Sequence, residues 1–259
     1  VPVLDVRGAT IDYEIEGSEG PLVVQLHGLT SSRTRDALLG LDLGRSLRAH
    51  RILRYDARGH GRSTGSTSKG DYGWQALAGD LLALLDHIAP GERVHGVGPS
   101  MGTGTLLHAA VQDPERFATL TLVTPPTAWK RRKEQAAVYL RNADQVERLG
   151  TVALVESGST APVPPALADA PLTRPTVAED LLPTVLRGAA KTDFPPKKAI
   201  KRIETPTLIL AWTGDRTHPV KTANTLAELL PHSRMVLART PYGVMAWPGL
   251  FAEHVTLHE

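Results

Sequence analysis

The sequence contains no cysteine. That absence excludes disulfides, Cys-ligated zinc, iron–sulfur clusters and a cysteine nucleophile. It leaves the compartment open, because a reducing cytosol tolerates cysteine-free proteins without requiring them. Also missing is any apolar run approaching the ~20 residues of a membrane-spanning helix. The opening stretch Val1-Pro2-Val3-Leu4-Asp5 lacks a basic region followed by an apolar one, so no secretory signal is expected there. An excess of one charge is absent too: 29 Lys and Arg stand against 27 Asp and Glu, leaving a formal charge of +2. The basic runs Lys130-Arg131-Arg132-Lys133 and Lys197-Lys198 with Lys201-Arg202 fall in helical stretches, where such runs ordinarily form solvated faces. A cytoplasmic protein is expected, with neither a nucleic-acid nor a membrane partner.

What is present is a chain of 259 residues, long enough for one large domain with a substantial core. Pro2 to Val6 and Thr10 to Ile15 alternate around Arg7-Gly8 and read as an opening hairpin. Leu22 to Leu26 is a short apolar run of the kind buried on both faces of a parallel sheet. Further strands are expected at Arg51 to Tyr55, Arg93 to Val97, Ala118 to Val123, Thr207 to Trp212 and Arg234 to Ala238. Between them the spacing predicts helices at Thr34 to His50, Gly73 to Ile88, Met101 to Gln112 and Val220 to Leu230, with Leu250 to Leu257 closing the chain. Alternating strand and helix calls for an α/β fold with a mostly parallel central sheet covered by helices on both faces. From about Thr124 to Glu204 the alternation stops. Trp129 to Leu149 and Ala178 to Ala190 read as helices around a Pro- and Ala-rich stretch, Ala161 to Thr176. This reads as a helical lid inserted after the sixth strand. Residues 124–204 would be the lid, and 1–123 with 205–259 the core.

The strongest chemical signal is Gly98-Pro99-Ser100-Met101-Gly102, a G-x-S-x-G pentapeptide between an expected strand and an expected helix. Its physics is that of a nucleophile elbow: a strained turn lifts the serine hydroxyl above the sheet, and the glycines let strand and helix approach closely. Two more motifs precede it. Leu26-His27-Gly28-Leu29 ends the third strand, and Asp56-Ala57-Arg58-Gly59-His60-Gly61-Arg62-Ser63 follows the fourth. With this ordered set the chain resembles the α/β-hydrolase superfamily, in its esterase-like branch with a helical cap, over essentially everything outside the lid. The resemblance implies that the backbone amides of Leu29 and Met101 form an oxyanion hole around a carbonyl attacked by Ser100. It gives His27 and His60 structural roles, and it places the acid at Asp215, after Leu208 to Trp212. The family's other acid position holds Thr124.

The resemblance fails at the histidine. Where the family carries it, after the last strand, this chain reads Thr240-Pro241-Tyr242-Gly243-Val244, and Val244 cannot take a proton. Either another histidine serves, or the position was substituted, naturally or deliberately, or hydrolysis has been lost. His218 is the best substitute, three residues beyond Asp215 at the same edge of the sheet as Ser100. Its bland alternative is a cap on the helix after Pro219. His95 and His108 read as packing residues. The H-E-x-x-H pattern of zinc enzymes is absent, as are a complete dinucleotide fingerprint and a P-loop, so neither metal nor cofactor is expected.

The expected partner is a small, partly apolar molecule: a carboxylic ester, lactone or thioester cleaved through a Ser100 acyl-enzyme. The alternatives are a degenerate homologue that binds a small molecule under its lid, or a C–C hydrolase or cofactor-free haloperoxidase on the same frame. Trp129, Val138, Tyr139, Val152 and Leu186 are candidate lid linings.

Overall fold

A computed structural model describes residues 2–159, 163–171 and 173–259. Its strands are β1 (Val3–Val6), β2 (Ala9–Glu16), β3 (Leu22–Gln25), β4 (Arg51–Tyr55), β5 (Val94–Pro99), β6 (Phe117–Val123), β7 (Thr207–Trp212) and β8 (Ser233–Ala238). The helices are α1 (Arg33–Leu38), α2 (Trp74–Ile88), α3 (Met101–Gln112), α4 (Arg132–Ser159), α5 (Leu182–Ala190), α6 (Lys197–Ile200), α7 (Val220–Leu229), α8 (Pro241–Met245) and α9 (Trp247–Thr256). The strands form one sheet in the order β1-β2-β4-β3-β5-β6-β7-β8. β2 runs antiparallel to β1 and β4, and every other pairing is parallel.

Alternation along the strands sorts side chains to the two faces. Leu22 and Val24 of β3 and Ile209 and Ala211 of β7 join a cluster beneath α2 and α3, with Leu77, Leu81 and Leu106. Val23, Leu208, Leu210 and Trp212 point the other way, onto Trp247, Phe251 and Val255 of α9. Both faces are therefore covered, which is why these strands read as apolar runs rather than alternating ones. After β3 the chain moves to β4 on one side, then crosses back to β5 on the other. The crevice outside the carboxyl ends of β3 and β5 lies at this switch point, where open α/β sheets bind ligands.

Two expectations need correcting. The helix expected from Thr34 to His50 ends at Leu38, because the chain turns at Gly40 (φ 73°) and resumes only as a single 3₁₀ turn at Gly44–Ser46. The long helix after Trp129 does not stop at Leu149. It breaks at Gly150 (φ 79°, ψ 172°) and restarts, with Glu179 accepting the Thr151 N–H at 2.8 Å. Between β6 and β7 no strand occurs among the described residues. There α4 and α5 share a small core of Tyr139, Ala143, Val146, Leu182 and Leu186, against which Leu29 of the main body packs. Arg187 of α5 reaches back to Asp144 of α4 at 2.7 Å. Thr160, Ala161, Pro162 and Leu172 of the Pro- and Ala-rich stretch lie outside the described residues.

Candidate active site

Ser100 ends β5 and caps α3 with φ 51° and ψ −106°, a backbone conformation that side-chain-bearing residues rarely adopt. A Cβ on Gly98 would stand 3.0 Å from Gly102 backbone atoms and 3.0 Å from Leu26 Cβ, so a side chain at either glycine would crowd the approach of strand and helix. The turn is held from both sides. Ser100 N–H donates to Val123 O at 2.9 Å, and the buried Thr103 hydroxyl reaches Gly98 O at 3.0 Å and Val123 O at 3.1 Å. The surroundings thus over-determine a strained residue and present its hydroxyl at the switch point.

His218 lies against that hydroxyl. Its Nε2 stands 2.8 Å from Ser100 Oγ, and its Nδ1 stands 2.7 Å from Asp215 Oδ2. Asp215 also accepts from Trp212 Nε1 at 2.8 Å, and from the backbone N–H of Thr217 at 2.8 Å and of His218 at 3.1 Å. Burial works against the Asp215 charge, but the hydrogen bonds from His218 and Trp212 outweigh it and hold the carboxyl well below the usual carboxylate range. A carboxylate can only accept, so Nδ1 carries the imidazole proton and Nε2 presents its lone pair to Ser100. The structure therefore brings together Ser100, Asp215 and His218, from loops 118 residues apart in sequence.

Val244 is not near-equivalent in chemistry or setting. It lies buried on α8, in the apolar cluster of Ala166, Trp212, Ala238 and Trp247. Thr124, at the family's other acid position, is buried at the end of β6 with its N–H on Leu210 O.

The loop after β3 supplies the other wall. A Cβ on Gly28 would come within 3.9 Å of Ser100 Cβ, which puts the Leu29 amide beside the elbow. Among the described residues neither the Leu29 nor the Met101 N–H has an acceptor, so both are free to meet an oxygen. His27 braces this loop: its Nε2 accepts the Ala57 N–H at 2.8 Å, and its Nδ1 donates to Gly28 O at 2.8 Å. Burial holds its pKa down at about 4, so it stays neutral and structural. Asp36 of α1 was missed in the sequence. It accepts from Gly28 N–H at 3.1 Å and from the Ser31 hydroxyl, clamping the same loop. Burial pushes its pKa up to about 6, although those two donors pull the other way. The segment between α4 and α5 fastens here as well, since Thr176 N–H donates to Thr30 O at 2.9 Å.

The pattern that defines the alpha/beta hydrolase fold matches residues 21–165, which include the turn at Ser100 and the loop after β3. The chain belongs to the α/β-hydrolase fold family. Among curated relatives of this hydrolase, a 3-oxoadipate enol-lactonase 2 of Acinetobacter baylyi is 30% identical over 192 residues, covering 71% of this chain and 68% of that protein. A Pseudomonas savastanoi protein named "Putative carbamate hydrolase RutD" is 29% identical over 248 residues, covering 87% of each. The enol-lactonase structure from Burkholderia xenovorans superposes with a TM-score of 0.78 at 21% identity, covering 98% of this chain and 100% of that one. It shares the fold.

Elsewhere in the hydrolase, some candidates go to other tasks. Tyr139 and Leu186 sit in the core shared by α4 and α5, Trp129 packs edge-on against Phe194 at 5.6 Å, and Val152 is exposed. Arg132, in the first basic run, is buried over the Trp74 ring at 4.4 Å and donates to Ala189 O at the end of α5. His254, near the end of α9, and His258, just beyond it, stand with ring centroids 4.9 Å apart. Among the described residues, no group of three or more His, Asp or Glu is placed to hold a metal. Likewise, no described helix is long and apolar enough to cross a membrane.

Proposed function

We propose that this α/β-hydrolase is a serine hydrolase of small carboxylic esters, lactones or thioesters, with His218 as its general base. The observation that carries the reading is the continuous chain from Asp215 Oδ2 through both imidazole nitrogens to Ser100 Oγ, at 2.7 and 2.8 Å. Ser100 Oγ attacks the carbonyl carbon while its proton passes to His218 Nε2, and Asp215 balances the imidazolium. The carbonyl oxygen, now an anion, is met by the Leu29 and Met101 amides; one such donor is worth about 10²- to 10³-fold in rate. The departing alkoxide or thiolate takes the proton back from His218. Water, deprotonated by the same nitrogen, then releases the acyl group. The names of the relatives, an enol-lactonase and a carbamate hydrolase, support a small acyl substrate. An available base also removes the main reason for reading the chain as a degenerate binding protein.

The test is labelling with a serine-directed fluorophosphonate, read by intact mass, followed by turnover on a panel of short esters, lactones and thioesters. Stoichiometric labelling that disappears in Ser100→Ala, with turnover on at least one class, is expected. A wild-type protein that neither labels nor turns over any of the three would sink the reading.

A further inference from the structure

Acid and base lie in one short loop, which creates a mechanical difficulty. Four donors reach the Asp215 carboxylate, and three of them (Thr217 N, His218 N and His218 Nδ1) belong to the loop itself. Those three would move with the loop and cannot hold it in register with Ser100. The fourth donor is different. Trp212 is the last residue of β7, so its Nε1 ties Asp215 Oδ2 to the sheet.

The Trp212 ring makes two further contacts. It meets His218 edge-on, with centroids 6.2 Å apart and planes at 87°. It also stacks on Trp247, at 5.7 Å and 13°. Trp247 is fully buried and its indole N–H has no acceptor among the described residues, so that ring serves by contact rather than by hydrogen bonding. Two backbone tethers supplement this, Thr213 N–H to Ala238 O at 3.1 Å and Thr127 N–H to Thr217 O at 2.8 Å, but they grip the start and middle of the loop and leave the carboxylate and imidazole free to rotate.

We propose that Trp212 is a positioning residue for the Asp215–His218 couple, its indole N–H anchoring the carboxylate to β7 and its ring, backed by Trp247, setting the imidazole plane. The segment after β8, which carries Val244 and Trp247, thus supports the site through this stack. The inference rests on the catalytic reading of Ser100 and His218. Its physical basis is that reacting groups must be held within fractions of an ångström, and a misplacement of about 1 Å costs about a hundredfold in rate.

The test replaces Trp212 with phenylalanine and, by non-canonical incorporation, with 3-benzothienylalanine, which keeps the bicyclic shape but carries sulfur in place of N–H. Three readouts are taken: kcat and KM on the best ester, thermal stability, and the low-field proton NMR signal of His218 Nδ1–H, assigned by its loss in His218→Ala. The benzothienyl variant should fold with little change in Tm. Its kcat should fall about tenfold to a hundredfold with KM within about twofold, and its low-field signal should shift or broaden. A folded benzothienyl variant with unchanged kcat and an unchanged signal overturns the proposal. The phenylalanine variant shows the added cost of a smaller ring, and its misfolding would leave the isostere to decide. The NMR signal is read whether or not the wild type turns over, so failure of the hydrolase reading and failure of this inference are distinguishable.

Discussion

At position 218 the imidazole has two nitrogens facing two different partners, and that division is what a relay from carboxylate to hydroxyl needs. Val244, where the resemblance leads one to expect the histidine, has no such opportunity: it is packed among Ala166, Ala238 and Trp247. Removing His218 should therefore not be repaired by restoring histidine at 244. His218→Ala is expected to lower kcat/KM by roughly 10³-fold or more, the scale seen when one member of a cooperating set is lost. The double variant His218→Ala/Val244→His should stay at that level, with a lower Tm from the buried, unpartnered ring. Steady-state kinetics on both variants checks this. Recovery to within tenfold of wild type would show that a histidine at 244 can serve as the base.

The elements matter through how tightly they cross. β5 and α3 meet at Gly98 and Gly102 so closely that an added methyl group would push its neighbours by a few tenths of an ångström, and Thr103 bonds across the junction. Gly98→Ala is expected to force the helix start away from the strand and to destabilise the protein by about 1–3 kcal/mol, as overpacking does. Because Ser100 N and the Met101 amide ride on that junction, fluorophosphonate labelling should slow along with the loss of Tm. A variant with wild-type Tm and wild-type labelling would contradict the close-packed elbow. The loop after β3 depends on a different element. α1 brings Asp36 under Gly28 and Ser31, so a six-residue helix sets the far wall of the site.

Over the whole molecule, buried histidines set the response to acid. Burial lowers the pKa of His27, His60, His95 and His254 from 6.5 to about 4, 3, 4 and 4. Below pH 6.5 the unfolded chain takes up protons that the folded one refuses, so stability falls as pH drops from 6.5 toward 4, by at most about 1.4 kcal/mol per pH unit for each histidine. Asp36 acts in the opposite sense. Its folded pKa is raised from 3.8 to about 6, so over that window the folded state holds the extra proton, and acidification relieves the cost of burying its charge. Four groups outweigh one. Tm should drop between pH 6.5 and 4.5, and Asp36→Asn, which lacks the opposing titration, should drop more steeply over pH 6 to 4. Thermal unfolding of both proteins across pH 4.5 to 8 checks the sign; a wild-type Tm that is flat or rising on acidification would refute it.

Local pattern was enough to determine the strand and helix alternation, the elbow at Ser100 and the family. Those features are written in periodicities of two and 3.6 residues and in glycines whose neighbours are adjacent in sequence. The same locality accounts for the two helices misread: a helix was expected from Thr34 to His50, but the turn at Gly40 ended it, and the helix expected to stop at Leu149 breaks at Gly150 and restarts. His218 could be named as a candidate because it neighbours Asp215, yet its meeting with Ser100 was not readable. That contact depends on β5 and β7 standing two strands apart with β6 between them, so that loops 118 residues apart share one edge. Asp36 and Trp212 carried no signal of their own, one being a charged residue on a short helix and the other an aromatic at a strand end. Only tertiary structure aimed the carboxylate at Gly28 and Ser31 and the indole at Asp215, because a side chain's partner across the fold is set by strand order and face, which no short stretch of sequence contains.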